Sequence, residues 1–400
     1  QMEPNHGYLL TGVVPCTLTL PPSASLAMGD TLRIAVADAD GGFSLAQNEN
    51  QYVLAEKIAN TWTPRESNRD WRGVALSGDG SVLVGAAYTG YLYLSRNSET
   101  WTPRITDTTR NWYCVAASYD GAALIAGCQG GYLYVSLDSG NNWQACTNAG
   151  SRSWTSVALS SDGANMIASD NWYGSGGYLY TSTDSGANWT ARMTDTGRDW
   201  KCVASSSNGA NLIDGVNGGY LHTSTDSGQD WTARMTDANR FWNSVASSAD
   251  GTKLIAADGG SGGGAYLYTS TDSGATWTQR MTDSPRAWQN VASSADGVLL
   301  TAVVNNGYLY TSSDSGATWT AQMTDSTRIW QCVASSADGN AKLAGGFNIQ
   351  LYANGTFSNK TLPGGSGHLQ SNSTQAVELL YMGNDQFMVI SHESAKPIVE

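Results

Sequence analysis

Apolar and polar positions along most of this chain repeat one pattern. The cleanest copy runs from Gly307 to Gly339, GYLYTSSDSGATWTAQMTDSTRIWQCVASSADG. GYLYTS has the period-2 pattern of a strand packed on both sheet neighbours, which predicts a β-strand. SDSGAT is rich in turn formers and predicts a tight turn. WTAQ then predicts a strand, MTDSTR a polar loop, IWQCVASS a strand and ADG a turn.

An R-x-W triplet sets the register of the copies. It occurs at Arg69/Trp71, Arg110/Trp112, Arg152/Trp154, Arg198/Trp200, Arg240/Trp242, Arg286/Trp288 and Arg328/Trp330. Successive tryptophans are 41, 42, 46, 42, 46 and 42 residues apart. A second tryptophan precedes each triplet: Trp62, Trp101, Trp143, Trp189, Trp231, Trp277 and Trp319. Only Trp172 belongs to neither series. Self-similarity at this period indicates a solenoid, a propeller or an array. Four short strands per copy point to propeller blades. The small residues of V-A-x-S suit the crowded innermost strand, and WTAR reads as the outer edge. The fragment Thr61–Arg65 has no blade before it, while the last copy lacks its WTAR strand. The first fragment is therefore expected to complete the last blade and to hide an open sheet edge.

The predicted fold is all-β: a seven-bladed β-propeller of four-stranded blades over residues 56–360, with a small discontinuous β-domain made from both termini. Residues 1–55 carry strand-like stretches, CTLTLPPSAS, GDTLRIAVAD and GGFSLAQNENQYVL, separated by turn residues. Residues 361–400 include QAVELLYMGNDQFMVIS, read as a hairpin around Gly383-Asn384-Asp385. Each flank is too short for a core of its own, so the two are expected to pair, with the ring inserted between them.

Composition narrows the function. Charged residues make up 14 % and the formal net charge is −13, with no Lys/Arg run, so a phosphate-backbone partner is not expected. No stretch of eighteen apolar residues occurs, so no membrane insertion is expected. Cys114, Cys202 and Cys332 share one repeat position, W-x-C-V-A, and read as small buried apolar residues in separate blades. No Cys/His spacing suggests zinc, and neither a metal nor another cofactor is expected. ADADGG (37–42) is too short for a calcium loop and reads as a hairpin turn.

The turn S-x-D-x-G-x-[TN]-W carries its aspartate at Asp138, Asp184, Asp226, Asp272 and Asp314. The Asp is expected to accept backbone amides, the Gly to take a left-handed conformation, and the Trp to plug the gap between neighbouring sheets. This motif resembles the Asp-box (BNR-type) hairpin of sialidases, sortilin-type receptors, xyloglucan-cleaving hydrolases and photosystem II assembly propellers. The resemblance covers about residues 60–354. It implies the propeller fold and leaves function open, because these families do unrelated things. A sialidase would require an Arg-Ile-Pro motif, which is absent, and three unique arginines where this chain has one per blade. The flanks resemble the small β-module of bacteriophage tail fibres and virion appendages, in CTLTLPPSASLAMGDTLRIA and QAVELLYMGNDQFMVIS. That resemblance implies a trimer-forming module carrying a propeller head.

Seven copies of one blade separate framework from variation. The variable segments lie between the second and third strands, at 86–90, 126–131, 168–177, 214–219, 256–265, 303–307 and 345–349. They open on the same face as the MTD-x-x-R loops, a usual place for recognition. One of the two longest holds Asn171, Trp172 and Tyr173, an aromatic pair beside an amide suited to sugar or peptide. The alternative role for Trp172 is to cap a neighbouring loop. Arg110, Arg198, Arg240, Arg286 and Arg328 each follow an Asp by three residues. Either they fix the loop by a local ion pair and stack on Trp, or they face one mouth and bind anionic sugars. Tyr88, Gln129 and Asn305 or Asn306 sit in other variable loops as weaker candidates.

These features lead to the expectation of a non-enzymatic virion protein, a tail fibre or appendage tip. It would be a homotrimer associated with other virion proteins. It would bind a host cell-surface receptor, with a glycan the first expectation. The alternatives are a secreted or periplasmic propeller that scaffolds protein partners, and a glycoside hydrolase.

Overall fold

The structure is a computed structural model. It describes residues 7–10, 16–22, 25–26, 31–36, 43–46, 52–54, 62–171, 176–355, 368–371, 376–383, 386–392 and 398–399. The chain divides into two compact units, Gln1–Asn60 with Thr356–Glu400, and Thr61–Gly355. In the first unit, strands from both chain ends share two sheets. One sheet orders Gly7–Leu10, Thr31–Val36, Ala376–Gly383, Gln386–His392 and Tyr52–Leu54. The other orders Cys16–Thr19, Phe43–Ala46, His368–Ser371 and Ile398–Val399. Ala376–Gly383 pairs antiparallel with Gln386–His392, with Gly383 opposite Gln386.

The second unit holds, among the described residues, seven four-stranded antiparallel sheets. Blade 1 runs outward through Trp71–Leu76, Leu83–Ala87, Leu92–Ser95 and Thr102–Arg104. Blades 2 to 7 begin at Trp112–Ala117, Arg152–Leu159, Trp200–Ser205, Arg240–Ser247, Trp288–Ser293 and Arg328–Ser335. Blade 7 takes its outer strand from the start of the ring. Trp62–Pro64 pairs with Tyr352–Asn354, Thr63 faces Ala353, and the Arg65 amide donates to the Leu351 carbonyl at 2.8 Å.

Closure is visible in the backbone itself. At the turn after each inner strand, one amide donates to the carbonyl of the next blade. Tyr119 donates to Ser161, Ser161 to Ser207, Ser207 to Ala249, Ala249 to Ala295, Ala295 to Ala337, and Ala337 to Gly78, at 2.7–2.9 Å. Asp79 donating to Tyr119 completes the circle at 2.9 Å.

Side chains set the spacing between blades. Trp71, Trp112, Trp154, Trp200, Trp242, Trp288 and Trp330 are all fully buried. Each meets a ring of the third strand edge-on: Tyr93, Tyr134, Tyr180, His222, Tyr268, Tyr310 and Tyr352, at centroid distances of 5.1–5.6 Å. The turn tryptophans take the outer part of the same gaps: Trp143, Trp189, Trp231, Trp277, Trp319 and Trp62 each pack against a core cluster shared by two neighbouring blades. Trp101, Trp143, Trp189, Trp231, Trp277 and Trp319 are only half-buried, and their indole N–H groups donate to carbonyls within their own turns. The rim of a blade is too close to solvent to bury a whole indole; the inner strand is not.

The turns are held as the residue types require. Ser136 Oγ donates to Asp138 Oδ1 and accepts the Gly140 amide, and the same set recurs at Ser182, Ser224, Ser270 and Ser312. Gly140 has φ 80°. The serine before it is also left-handed, with φ 57° at Ser139 and 56° at Ser185, a conformation costly for a residue with a Cβ. The surrounding hydrogen bonds compensate: Ser139 and Ser185 donate their amides to Ala122 and Ala164 of the same blade.

The borrowed strand yields a test. Proline at Arg65 removes the amide bonded to Leu351, and proline at Arg104 changes the equivalent position of blade 1. Each loses one hydrogen bond, about 1–3 kcal/mol. Arg65→Pro alone also frees an end of the ring. It is expected to lower the thermal midpoint more than Arg104→Pro and to expose the Trp62–Pro64 strand to protease. Equal shifts in scanning calorimetry would argue against the clasp.

Candidate functional site

Every inner strand carries a β-bulge at the same place. Pairing jumps between Trp71 and Gly73, Trp112 and Cys114, Trp154 and Ser156, Trp200 and Cys202, Trp242 and Ser244, Trp288 and Asn290, and Trp330 and Cys332. The residue after each tryptophan is therefore left out of the ladder and re-aimed, as bulges commonly do. These residues are Arg72, Tyr113, Thr155, Lys201, Asn243, Gln289 and Gln331. All seven line one axial cavity of about 180 Å³, to which every blade contributes.

The lining is polar. It holds two cations, Arg72 and Lys201, and no carboxylate. Lys201 Nζ donates to Tyr113 Oη at 3.1 Å and lies 5.4 Å from that ring's centre. Arg72 pairs with Asp70 at 2.9 Å and stacks on Tyr88 at 5.1 Å. Thr155 and Asn243 are tied back, donating to the Trp200 and Trp288 carbonyls at 2.9 and 2.8 Å. Cys114, Cys202 and Cys332 are buried at the cavity wall, and burial pushes their thiols well above the ordinary range, so they remain neutral.

The variable loops surround this mouth. One residue of each donates its amide to the carbonyl just before the buried tryptophan. Tyr88 donates to Asp70, Gln129 to Asn111, Asn171 to Ser153, Asn217 to Asp199, Gly259 to Phe241, Asn305 to Ala287 and Phe347 to Ile329, at 2.8–3.0 Å. Tyr88 Oη donates to Gln129 Oε1 at 3.1 Å. Asp199 accepts the side-chain amides of Asn171 and Asn217 and so links two adjacent loops. Around blades 5 and 7 the rim is apolar instead, with Phe241, Ile329 and Phe347 exposed.

The candidates named from sequence fall in different places. Asn171 stands on this rim, as do Tyr88, Gln129 and Asn305. Trp172 and Tyr173 lie outside the described residues. Arg110, Arg198, Arg240, Arg286 and Arg328 do not line the axial cavity. Each pairs with the Asp three residues earlier, at 2.6–2.7 Å. Each lies 5.5–5.9 Å from the centre of its own blade's tryptophan ring. The pairing holds the partner carboxyls low: Asp107, Asp195 and Asp283 at about 2. The axial residues themselves were not singled out from sequence. Their signal was present: within a nearly fixed strand, the position after Trp is always polar or aromatic and takes six residue types in seven copies.

One further polar pair interrupts the repeat. Blade 4 carries Asp214 where blades 2, 3, 5, 6 and 7 have alanine, and His222 where the others have tyrosine. The two residues face each other, His222 Nδ1 3.1 Å from Asp214 Oδ1, and both are buried. Burial raises the Asp214 carboxyl to about 6, against the opposing pull of His222 and Arg198. Neither residue lines the axial cavity. No group of three or more metal-ligating side chains occurs among the described residues.

No protein-family model matches the chain, and no curated protein matches it in sequence. Solved structures do resemble it. YCF48 bound to D1 peptide is 16 % identical with a TM-score of 0.57, covering 77 % of this chain and 98 % of that one. YCF48 from Cyanidioschyzon merolae is 17 % identical with a TM-score of 0.55, covering 73 % and 98 %. The Myceliophteria thermophila Cps50 (Swd1) β-propeller domain is 12 % identical with a TM-score of 0.57, covering 73 % and 98 %. At such identities the likeness establishes the propeller fold alone.

The buried pair in blade 4 gives a double-mutant test. His222→Tyr alone leaves a buried carboxylate without its partner and should cost about 3–5 kcal/mol. Asp214→Ala with His222→Tyr restores the pair used by other blades and should recover that loss. Because the folded Asp214 holds its proton up to about pH 6, against 3.8 ordinarily, its contribution to stability is full below about pH 4. That contribution is lost as pH rises through 6, and the double variant should lack this slope in denaturant melts. Additive single costs would refute the pairing.

Proposed function

We propose that this chain is a recognition protein that binds a surface ligand at the axial mouth, with the propeller as rigid scaffold. The observation that carries this reading is the ring of seven residues, of six types, aimed at one cavity by seven equivalent bulges. Such a lining offers donors and acceptors in many directions, together with Tyr113 and the rim residue Tyr88. That chemistry suits sugar hydroxyls. The lack of any carboxylate among the lining residues favours binding over glycoside hydrolysis, which uses two.

The biological setting we infer is a virion, with the propeller displayed at a tail fibre or appendage tip and binding a host cell-surface glycan. The support is the likeness of the flanking segments to phage fibre modules. A homotrimer would multiply weak sites by avidity. The arginines of the R-x-W series enter this proposal as supports of the loops, and Trp172 and Tyr173 as contacts beside Asn171. A second reading has its own support. Phe241, Ile329 and Phe347 are exposed on the same rim, and a peptide or protein partner would cover them.

A glycan array probed with the intact chain separates the readings. Selective retention of one host-surface glycan class is expected. Lys201→Ala and Arg72→Ala should each weaken it about tenfold or more, equivalent to at least about 1.4 kcal/mol, with the thermal midpoint unchanged. Retention of no glycan, with capture of a protein that depends on Phe241 and Phe347, would replace the first reading with the second. Copurification with phage particles tests the virion setting.

A further inference from the structure

Blade 2 departs from blades 3 to 6 at its outer surface. In blades 3, 4 and 5 a rim arginine donates to a threonine on the third strand: Arg192 to Thr181, Arg234 to Thr223, and Arg280 to Thr269, at 2.8–2.9 Å. Gln322 does the same to Thr311 in blade 6 at 3.1 Å. In blade 2 both partners are apolar, Val135 in place of the threonine and Cys146 in place of the arginine. Two residues further on, Leu137 stands where blades 3 to 6 carry Thr183, Thr225, Thr271 and Ser313, and it is 60 % exposed. The outer strand is also shorter, Gln144–Ala145, and leaves through a single 3-10 turn at Thr147–Ala149. Asn148 Nδ2 reaches across to the Ala187 carbonyl of blade 3.

The result is a groove of about 590 Å³ between blades 2 and 3, floored by Val135, Trp143 and Cys146 with Leu137 at its lip. No lysine or arginine lines it. Two carboxylates do, Asp138 and Asp184. Turn amides and hydroxyls hold both below the usual carboxylate range, Asp138 at about 2, so both are ionised at any physiological pH. Three substitutions have thus removed a cation and two hydroxyls from one blade edge and left an apolar floor under an acidic rim.

We propose that this groove docks a short segment of another protein that carries an aliphatic or aromatic side chain flanked by lysine or arginine. Its volume lies within the roughly 300–1,000 Å³ of sites that enclose a small ligand, so it takes a few side chains and not a domain. The apolar side chain covers Leu137 and the half-buried Trp143, and the flanking cations meet Asp138 and Asp184. The site is separate from the axial mouth and does not depend on what that mouth binds.

The test uses the intact chain and three synthetic peptides: acetyl-Gly-Lys-Leu-Phe-Arg-Gly-amide, its Glu-Leu-Phe-Glu counterpart, and its Lys-Ser-Ser-Arg counterpart. Calorimetry should find saturable binding for the first, at least about tenfold tighter than for either control, and weakening with added salt. Val135→Thr with Leu137→Thr and Cys146→Arg restores residues that other blades carry, and should abolish binding. Leu137→Thr alone, at an exposed position, should weaken it without touching stability. Equal binding of the three peptides, binding that survives Leu137→Thr and the triple change, or no binding of the first peptide at millimolar concentration would each overturn the proposal.

Discussion

Seven gaps of equal width have to add up to one full turn, and the fully buried tryptophan of each inner strand sets that width. The indole is the largest side chain available; in every seam it meets an aromatic or imidazole ring edge-on, and in six of the seven an arginine lies over it. Truncating one such residue typically costs about 3–5 kcal/mol. In a closed ring the loss cannot be absorbed locally, because a narrower seam strains the other six. The backbone circle through Ser161, Ser207 and Ala249 and the borrowed strand Trp62–Pro64 follow from that geometry, since both require the last blade to arrive beside the first.

The same seam accounts for the axial site. Trp must point into the gap, and the valine two residues beyond the bulge must sit in the ladder. The bulge between them leaves one residue with nowhere to go but the axis. Packing has thus freed one position per blade from the sheet ladder, and those positions carry six residue types in an otherwise repetitive chain. Arg72 and Lys201 bring two cations to the centre of a molecule with a net charge of −13, while Asp70 and Asp199 remain outside the cavity lining. A rigid frame with seven independently variable side chains can change its ligand without altering its fold.

Internal repetition also works as a control experiment within one chain. Where most blades agree and one differs, the difference has a local physical consequence that can be isolated. Blade 4 exchanges a Tyr–Ala contact for a buried His222–Asp214 pair, at some cost in desolvation. Blade 2 exchanges the hydrogen-bonded Thr–Arg pair of blades 3 to 5 for the apolar, buried Val135 and Cys146. Both changes come as matched sets, because altering one partner alone would leave an unsatisfied polar group.

The sequence alone determined the fold class, the number of blades, the strand order within each blade and the exchange of Trp62–Pro64 into the last sheet. It could do so because strand alternation, turn chemistry and spacing are local properties, and seven copies average out the exceptions. It also located the loop face, since the variable segments share one side of the strand pattern. It did not distinguish how deeply each tryptophan series is buried in the seams, because burial depends on distance from the axis and not on residue type. Nor did it reveal the axial ring. Simple alternation places Arg72, Tyr113 and Lys201 against a neighbouring blade, and only the bulge, a relation between two strands, turns them inward. The groove beside Leu137 was likewise decided in three dimensions, where Val135, Cys146 and the next blade's turn come together from separate stretches of chain.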